Sequence, residues 1–345
     1  MKKVLIDGRN FDRNFSGGAR YAREIVVGLD SIIKSEEYYL IVDKDLIGHW
    51  NLNLRNISMM EYSSKNGINR YIELFKLCRR DYLYINLLNG MAVGKNNSIV
   101  TWHDLFPFYG VMGLNKYNTF KLKFKTYEAI LLSKSLVTVS EYSKSTMIDK
   151  LHVNEKKITV IPNSWQHIIS IIPDEKIIDE YKLRDREYYF FLGRLVRNKN
   201  IDWIFRIADS NRTALFVIAG ALRKTEKFSF YSGKNNNIIY TGFITDEQMA
   251  ALYMHCKAFL FPSLMEGFGI PPMEALYYGA PIIISNTSSL PEVYEDAAHY
   301  IDPYKYDYDL DEILKEPVAD PQKILDKYSW EKSARQWYEL IESFR

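Results

Sequence analysis

Residues 262–279 read Pro262-Ser-Leu-Met-Glu-Gly-Phe-Gly-Ile-Pro-Pro-Met-Glu-Ala-Leu-Tyr-Tyr-Gly279. The apolar run Ala258 to Phe261 just upstream predicts a buried strand, and Pro271 to Tyr278 predicts a short helix. Proline fits the first turn of a helix, where its missing N–H has no intrahelical partner to lose. Gly279 is placed to stop that helix. Strand, acidic glycine-rich loop and helix N-terminus thus follow one another directly. A helix start presents unpaired N–H groups and partial positive charge, which suits an anion. Glu266 and Glu274 flank the Gly267-Phe268-Gly269 turn and can accept hydrogen bonds from hydroxyls. Together these features suit a phosphate carried on a sugar or a ribose.

Working outward, strand-like and helix-like stretches alternate along the whole chain. Strands are expected at Lys3–Asp7, Tyr39–Asp43, Tyr82–Leu87, Ser98–Thr101, Leu136–Val139 and Ile158–Ile161. A second series is expected at Tyr188–Leu192, Leu215–Ala219, Ile238–Tyr240, Ala258–Phe261 and Pro281–Ser285. Between them, Tyr21, Ile25, Val26 and Leu29 recur at helical spacing, and Ser140 reads as an N-cap. This alternation predicts an α/β protein of two doubly wound parallel-sheet, Rossmann-like domains facing across a cleft. A chain of 345 residues also exceeds the roughly 250–300 at which one core stops growing. The expected boundaries are an N-terminal domain at 1–163, a polar linker at 164–186 and a second domain at 187–328. A closing helix at 329–345, with Trp330, Ala334, Trp337, Leu340 and Ile341 on one side, is expected to cross back to the first domain.

Hydrophobic residues make up 47% of the chain, but no run approaches the ~20 apolar residues of a membrane helix. The first residues read as a strand rather than a secretory signal. Cys78 and Cys256 do not make a disulfide framework, so a cytoplasmic setting is expected. Residues 1–165 carry 24 Lys and Arg against 16 Asp and Glu, whereas 166–345 carry 21 against 27. The first part is therefore basic and the second acidic, which suits an anionic partner for the first. No nucleic-acid recognition motif is present. Residues 116–134 combine Lys116, Lys121, Lys123, Lys125 and Lys134 with Phe120, Phe124, Tyr127 and Leu131 at helical spacing. Such a helix is either a solvated basic face or a peripheral attachment to an anionic membrane surface.

Several further residues carry chemistry. Gly17 and Gly18 open the first helix, as a phosphate-cradling turn or a plain turn. His103-Asp104 follows a predicted strand, where open α/β sheets hold ligands; a histidine bonded to its aspartate neighbour is the alternative. Gly193-Arg194 and Lys199 occupy a strand-to-helix turn. Arginine forks onto phosphate oxygens, and lysine adds a mobile point charge. With the amides of Gly267, Phe268, Gly269 and Ile270, these two cations could neutralise a diphosphate leaving group. Asp307-Tyr308-Asp309 reads as surface, and no metal site is expected.

The stretch Glu266 to Glu274 resembles the Glu-x7-Glu motif of the retaining glycosyltransferases of family 4, which have the two-domain GT-B fold. The resemblance extends through Gly279-Ala280-Pro281, Ser288 to Val293, Asp296-Ala297-Ala298, Gly193 to Asn200, His103-Asp104, Ser140 to Lys144 and Ser329-Trp330-Glu331. It is strongest toward bacterial members that build O-antigen or capsule. It implies that Glu274 binds the ribose, Glu266 the donor sugar, and Arg194 and Lys199 the diphosphate. Gly17 would let its loop close over the donor, and His103 would lie beside the transferred sugar and the acceptor. The implied reaction moves a hexose from a nucleotide diphosphate sugar to a glycan or lipid-linked acceptor, with retention and without metal or other cofactor. GDP-mannose is the implied donor, with dTDP-rhamnose and UDP-hexoses as alternatives. A phosphorylase or epimerase of the same fold, or a non-catalytic binding subunit, are the competing functions. Ala19 and Ser164 stand where the family commonly has glycine.

Overall fold

The computed structural model describes residues 2–9, 17–34, 37–43, 52–62, 72, 74–76, 78, 81–90, 92–105, 108–109, 116–220 and 236–345. They divide into two compact units, the first made of residues up to 163 together with Ser329–Arg345, the second of Tyr109 and Ser164–Tyr328.

The first unit holds a parallel sheet of β1 (Lys3–Asp7), β2 (Tyr38–Asp43), β3 (Ser58–Tyr62), β4 (Tyr82–Asn86), β5 (Ser98–Thr101), β6 (Ser135–Thr138) and β7 (Ile158–Val160). Its strands lie in the order β3-β2-β1-β4-β5-β6-β7. The chain therefore grows away from β1 in both directions, and the switch point falls between β1 and β4. Central strands such as Val4-Leu5-Ile6 and Ile99-Val100 are buried apolar runs, as expected for a parallel sheet covered on both faces. The closing helix Trp330–Glu342 belongs to this unit and packs on the helix Gly17–Ile32. Trp337 donates to the Tyr21 hydroxyl at 2.7 Å, and Ser333 donates to the Pro162 carbonyl at 2.8 Å.

The second unit is a parallel sheet of β8 (Tyr188–Leu192), β9 (Leu215–Ala219), β10 (Ile238–Gly242), β11 (Ala258–Phe261), β12 (Ile282–Ser285) and β13 (His299–Ile301). The order is β10-β9-β8-β11-β12-β13, with the switch point between β8 and β11. Tyr189, Phe191, Trp203, Ile204, Ile207, Phe216 and Leu260 form its core on one face. Residues 164–186, the expected linker, lie in this unit. Within them the short helix Lys176–Glu180 buries Ile177 and Ile178 and packs on the helix Asp246–His255.

The strands absent from the sequence reading, β3 and β13, both lie at sheet edges. Strand β3 keeps Met59 exposed and β13 spans only three residues, so neither shows as a buried apolar run. Strand β6 begins at Ser135 rather than Leu136, because buried Ser135 takes part in the ladder opposite Ile99.

Candidate functional site

Both switch points lie at the carboxyl ends of strands, where open α/β sheets bind ligands. In the second unit, β8 runs into Gly193 and Arg194, then into a tight turn at Arg197–Lys199. Asn200 closes that turn in a left-handed conformation (φ 55°) and starts the helix Ile201–Ser210. Its buried amide group donates to the carbonyls of Pro262 at 3.1 Å and Pro303 at 2.9 Å. Leu264 N–H donates to the Asn198 carbonyl at 2.8 Å. The turn after β8 is thereby locked to the loop after β11, across the switch point.

This lock brings two of the expected residues together. Lys199 Nζ lies 2.6 Å from Glu266 Oε1, and both side chains are largely enclosed. The ammonium also sits 4.7 Å from the centre of the Phe261 ring, a cation–π contact. A Cβ built on Gly193 would lie 3.8 Å from the Lys199 stem, so the glycine lines the same corner. Glu266 is held from behind: its N–H donates to Ser288 Oγ at 3.0 Å, and its carbonyl accepts from Ser289 Oγ at 3.1 Å. Arg194 is exposed beside this corner in sequence, but no contact joins it to Lys199 or Glu266 among the described residues.

The Gly-Phe-Gly turn is shaped by Gly269, which caps the helix Ile270–Tyr277 with φ 90°. A side chain there would be strained, and its Cβ would meet Leu290 at 2.6 Å. Phe268 is buried edge-on against Tyr328 at 5.1 Å between ring centres, so only its backbone can meet a ligand. The helix start offers fewer donors than its position suggests. Pro271 and Pro272 have no N–H to give. What remains is a run of backbone amides, Gly267 to Ile270, that donate to no described residue.

Glu274 lies on the buried face of the same helix and makes a separate cluster. His167 Nε2 donates to its Oε1 at 2.9 Å, and the Tyr253 hydroxyl lies 3.4 Å from Oε2. Burial, and then the Glu274 charge, push the Tyr253 hydroxyl well above its ordinary pKa, so it stays a protonated donor. His167 and Tyr253 are functional candidates absent from the sequence reading. A lone histidine in an irregular segment carries no periodic signal, and Tyr253 reads simply as one more helical apolar residue.

In the first unit, β5 ends at Thr101 and leads to His103. His103 N–H donates to Asn89 Oδ1 at 2.8 Å, and its Nε2 lies 2.9 Å from the Leu87 carbonyl. A carbonyl only accepts, so Nε2 carries the proton and Nδ1 is left as an acceptor. Burial pulls the ring's pKa down to about 4, against a smaller upward effect of the Leu87 hydrogen bond. His103 is thus a neutral hydrogen-bonding group near neutral pH. The Gly17–Gly18 helix start reaches it: a Cβ on Gly18 would lie 3.6 Å from the His103 ring and 3.0 Å from Leu88. Gly17 is exposed at the same helix end.

A measurable consequence follows from the depressed pKa. Between the unfolded value near 6.5 and about 4, the unfolded chain binds the proton and the folded one does not. This group's stability contribution is present above pH 6.5 and falls away as pH drops toward 4. Two-dimensional NMR of the imidazole should give a midpoint near 4; a midpoint at 6 or above would contradict the buried, neutral ring.

Asp309 accepts from the Asp311 and Glu312 amides at 3.0 and 3.2 Å, capping the helix Leu310–Ile313. The Asp307-Tyr308-Asp309 run thus has a local structural use at its last residue. Among the described residues no His, Cys, Asp and Glu group is arranged to hold a metal ion.

Residues 173–336 match the family described as glycosyl transferases group 1. Among curated proteins, the serotype-specific mannosyltransferase WbdA of Escherichia coli is 32% identical over 225 residues, covering 58% of this chain and 27% of that protein. The O-antigen chain mannosyltransferase B of Escherichia coli is 25% identical over 245 residues, covering 66% of this chain and 63% of that protein. The chain thus spans less than two thirds of the length of either relative. Among solved structures, Anabaena HepE in complex with UDP and glucose superposes with a TM-score of 0.72 at 13% identity, over 99% of this chain and 100% of that one. That similarity concerns the fold. Residues 173–336 are thus similar to the glycosyl transferases group 1, and the two Rossmann-like domains share the GT-B fold.

Proposed function

We propose that the protein is a retaining hexosyltransferase whose second unit holds a nucleotide diphosphate sugar. The observation that carries this reading is the Lys199–Glu266 pair at the β8/β11 switch point, beside unengaged amides and close in sequence to Glu274. Lys199 and Arg194 neutralise the diphosphate. Glu266 and the Gly267–Ile270 backbone meet the donor sugar, and Glu274 grips the ribose hydroxyls. Glu266 holds the lysine in place until the phosphate competes for it. His103, neutral and with Nδ1 as an acceptor, takes a hydrogen bond from a sugar hydroxyl, and Gly17 and Gly18 keep that neighbourhood open.

In the proposed step, the acceptor hydroxyl oxygen bonds to the anomeric carbon on the face from which the sugar–phosphate bond breaks. A leaving phosphate oxygen takes the hydroxyl proton, so the products are the glycoside and the nucleoside diphosphate. This route needs no protein nucleophile and routes no step through a metal. GDP-mannose is the proposed donor, supported by the mannosyltransferase names of WbdA and mannosyltransferase B. The proposed acceptor is a glycan or lipid-linked oligosaccharide. The test incubates the protein with GDP-mannose and an oligomannoside acceptor, reading nucleotide release and product configuration by NMR. An α-linked product from the α-configured donor is expected. An inverted product, or release that ignores the acceptor, would overturn the reading.

A second observation bears on where the acceptor resides. On the helix Lys116–Leu132, Tyr117, Phe120, Phe124, Tyr127 and Leu131 are all exposed, interleaved with lysines. Thr126 and Ala129 supply the buried side. The apolar stripe is therefore turned outward, and we propose that it docks on an anionic lipid surface, with the protein peripheral on the cytoplasmic face. No described helix is long and apolar enough to cross a membrane. The double variant Phe120→Ala, Phe124→Ala should weaken co-sedimentation with phosphatidylglycerol vesicles about tenfold, and Lys116→Glu with Lys121→Glu should do so mainly at low salt. Unchanged sedimentation in both variants would contradict the docking.

A further inference from the structure

The short segment Ser164–Ile168 lies outside the residues matched to the family and was expected to be linker. In the structure it is a strap across the helix that carries Glu274. Trp165 lies against Tyr277 at 4.6 Å between ring centres, and its indole N–H donates to the Leu325 carbonyl at 3.0 Å. Gln166 donates to the Tyr328 carbonyl at 2.9 Å and accepts from Ser164 Oγ at 2.6 Å. The Tyr278 hydroxyl donates to the Ile168 carbonyl at 3.3 Å. The strap is thus pinned on both sides of His167, so the imidazole cannot drift. The His167 side chain is 1% exposed and that of Glu274 9%, with 2.9 Å between Nε2 and Oε1.

We propose that His167 is a positioning residue for Glu274, fixing its carboxylate in the orientation that grips the ribose. This rests on the reading of Glu274 as the ribose clamp. A glutamate's terminal torsion is broad, so its carboxylate plane is set by its partners. The Tyr253 hydroxyl at 3.4 Å is a long, weak constraint on Oε2. His167 supplies the short bond on Oε1. It occupies one lone-pair direction there and leaves the remaining ones for hydroxyls. Orientation by a neighbour of this kind affects the bound nucleotide in ground state and transition state alike, so it raises KM and leaves kcat nearly unchanged when lost.

The test is calorimetric, with the full chain and with GDP, UDP and their 2′,3′-dideoxy counterparts as probes. Wild type is expected to bind one ribonucleotide at least tenfold more tightly than its dideoxy form. H167L should bind the ribonucleotide about tenfold more weakly and the dideoxy form as wild type does, so the ratio collapses. H167Q keeps an N–H at similar reach and should restore most of the ratio; H167N, whose shorter side chain keeps the pocket polar, should not. In turnover, H167L should raise donor KM about tenfold with kcat within twofold. An undiminished ratio in H167L and H167N, or equal weakening toward both nucleotide forms, would overturn the positioning role. E274Q run in parallel separates the two ideas. If its ratio collapses while that of H167L does not, only the role of His167 falls. If E274Q keeps the ratio, or wild type binds neither ribonucleotide, the ribose-clamp reading falls and takes this inference with it.

Discussion

Glu274→Gln is expected to lower kcat/KM for the nucleotide sugar by about 10–100-fold while the second unit stays folded. The amide keeps the size of the carboxylate but loses the charge. Hydrogen bonds to a charged acceptor contribute about 1.5–3 kcal/mol each, roughly twice the neutral value. Weakening each of two ribose bonds by about half therefore costs about 1.5–3 kcal/mol in all, and each 1.36 kcal/mol is tenfold in rate. Folding is little affected, because the amide oxygen can still accept from His167 or Tyr253, the two donors around Glu274. Glu274→Ala should cost at least as much activity and also some stability, since both buried donors then lose their acceptor. Initial rates with circular dichroism on the same preparations check this. Near-normal turnover in Glu274→Gln would contradict a charged hydroxyl clamp.

Gly220→Ala is expected to destabilise the second unit by about 3–5 kcal/mol, in the range reserved for backbone strain and clashes. Gly220 ends β9 with φ 142°, a region that L side chains rarely adopt. A Cβ there would lie 1.8 Å from the Gly193 carbonyl oxygen, a backbone atom that cannot swing aside. Relief requires β8 and β9 to part at their carboxyl ends. That movement puts at risk the Gly193 N–H bond to Ala219 at 3.1 Å and the Gly220 N–H bond to Gly242 at 2.8 Å. Since Gly193 heads the turn that presents Lys199, donor turnover should fall with stability. Urea unfolding should show a midpoint well below that of wild type; an unchanged midpoint would contradict the close approach.

The central strands were legible because a buried parallel strand is a continuous apolar run, as in Ala258 to Phe261 and Leu215 to Ala219. The helix after the acidic loop was legible from Pro271 and Pro272, and the N-cap at Ser140 from its hydroxyl, which accepts from Ser143 N–H. Strands β3 and β13 escaped because neither is a continuous apolar run: Ser58-Met-Met-Glu-Tyr62 mixes polar with exposed residues, and His299-Tyr-Ile301 is only three residues long. At the site, sequence spacing identified Lys199 and Glu266 as chemistry-bearing residues, but their pairing depends on Asn200 tying one turn to the other strand's loop, a long-range contact without local signature. His167 was invisible for the same reason: its partner stands 107 positions away. The outward-facing aromatics at 116–134 could be read as a stripe, but which way a stripe points is decided by what packs on the other side.

The most direct test of the donor site is calorimetric titration of the wild-type protein with GDP-mannose, UDP-glucose and dTDP-rhamnose, repeated with Lys199→Ala and Glu274→Gln. The second unit, with Lys199 held at 2.6 Å from Glu266, predicts saturable binding of at least one donor, weakened tenfold or more in each variant. Binding of no donor by wild type, or binding that both variants leave unchanged, would contradict the assignment of these residues to a nucleotide diphosphate sugar.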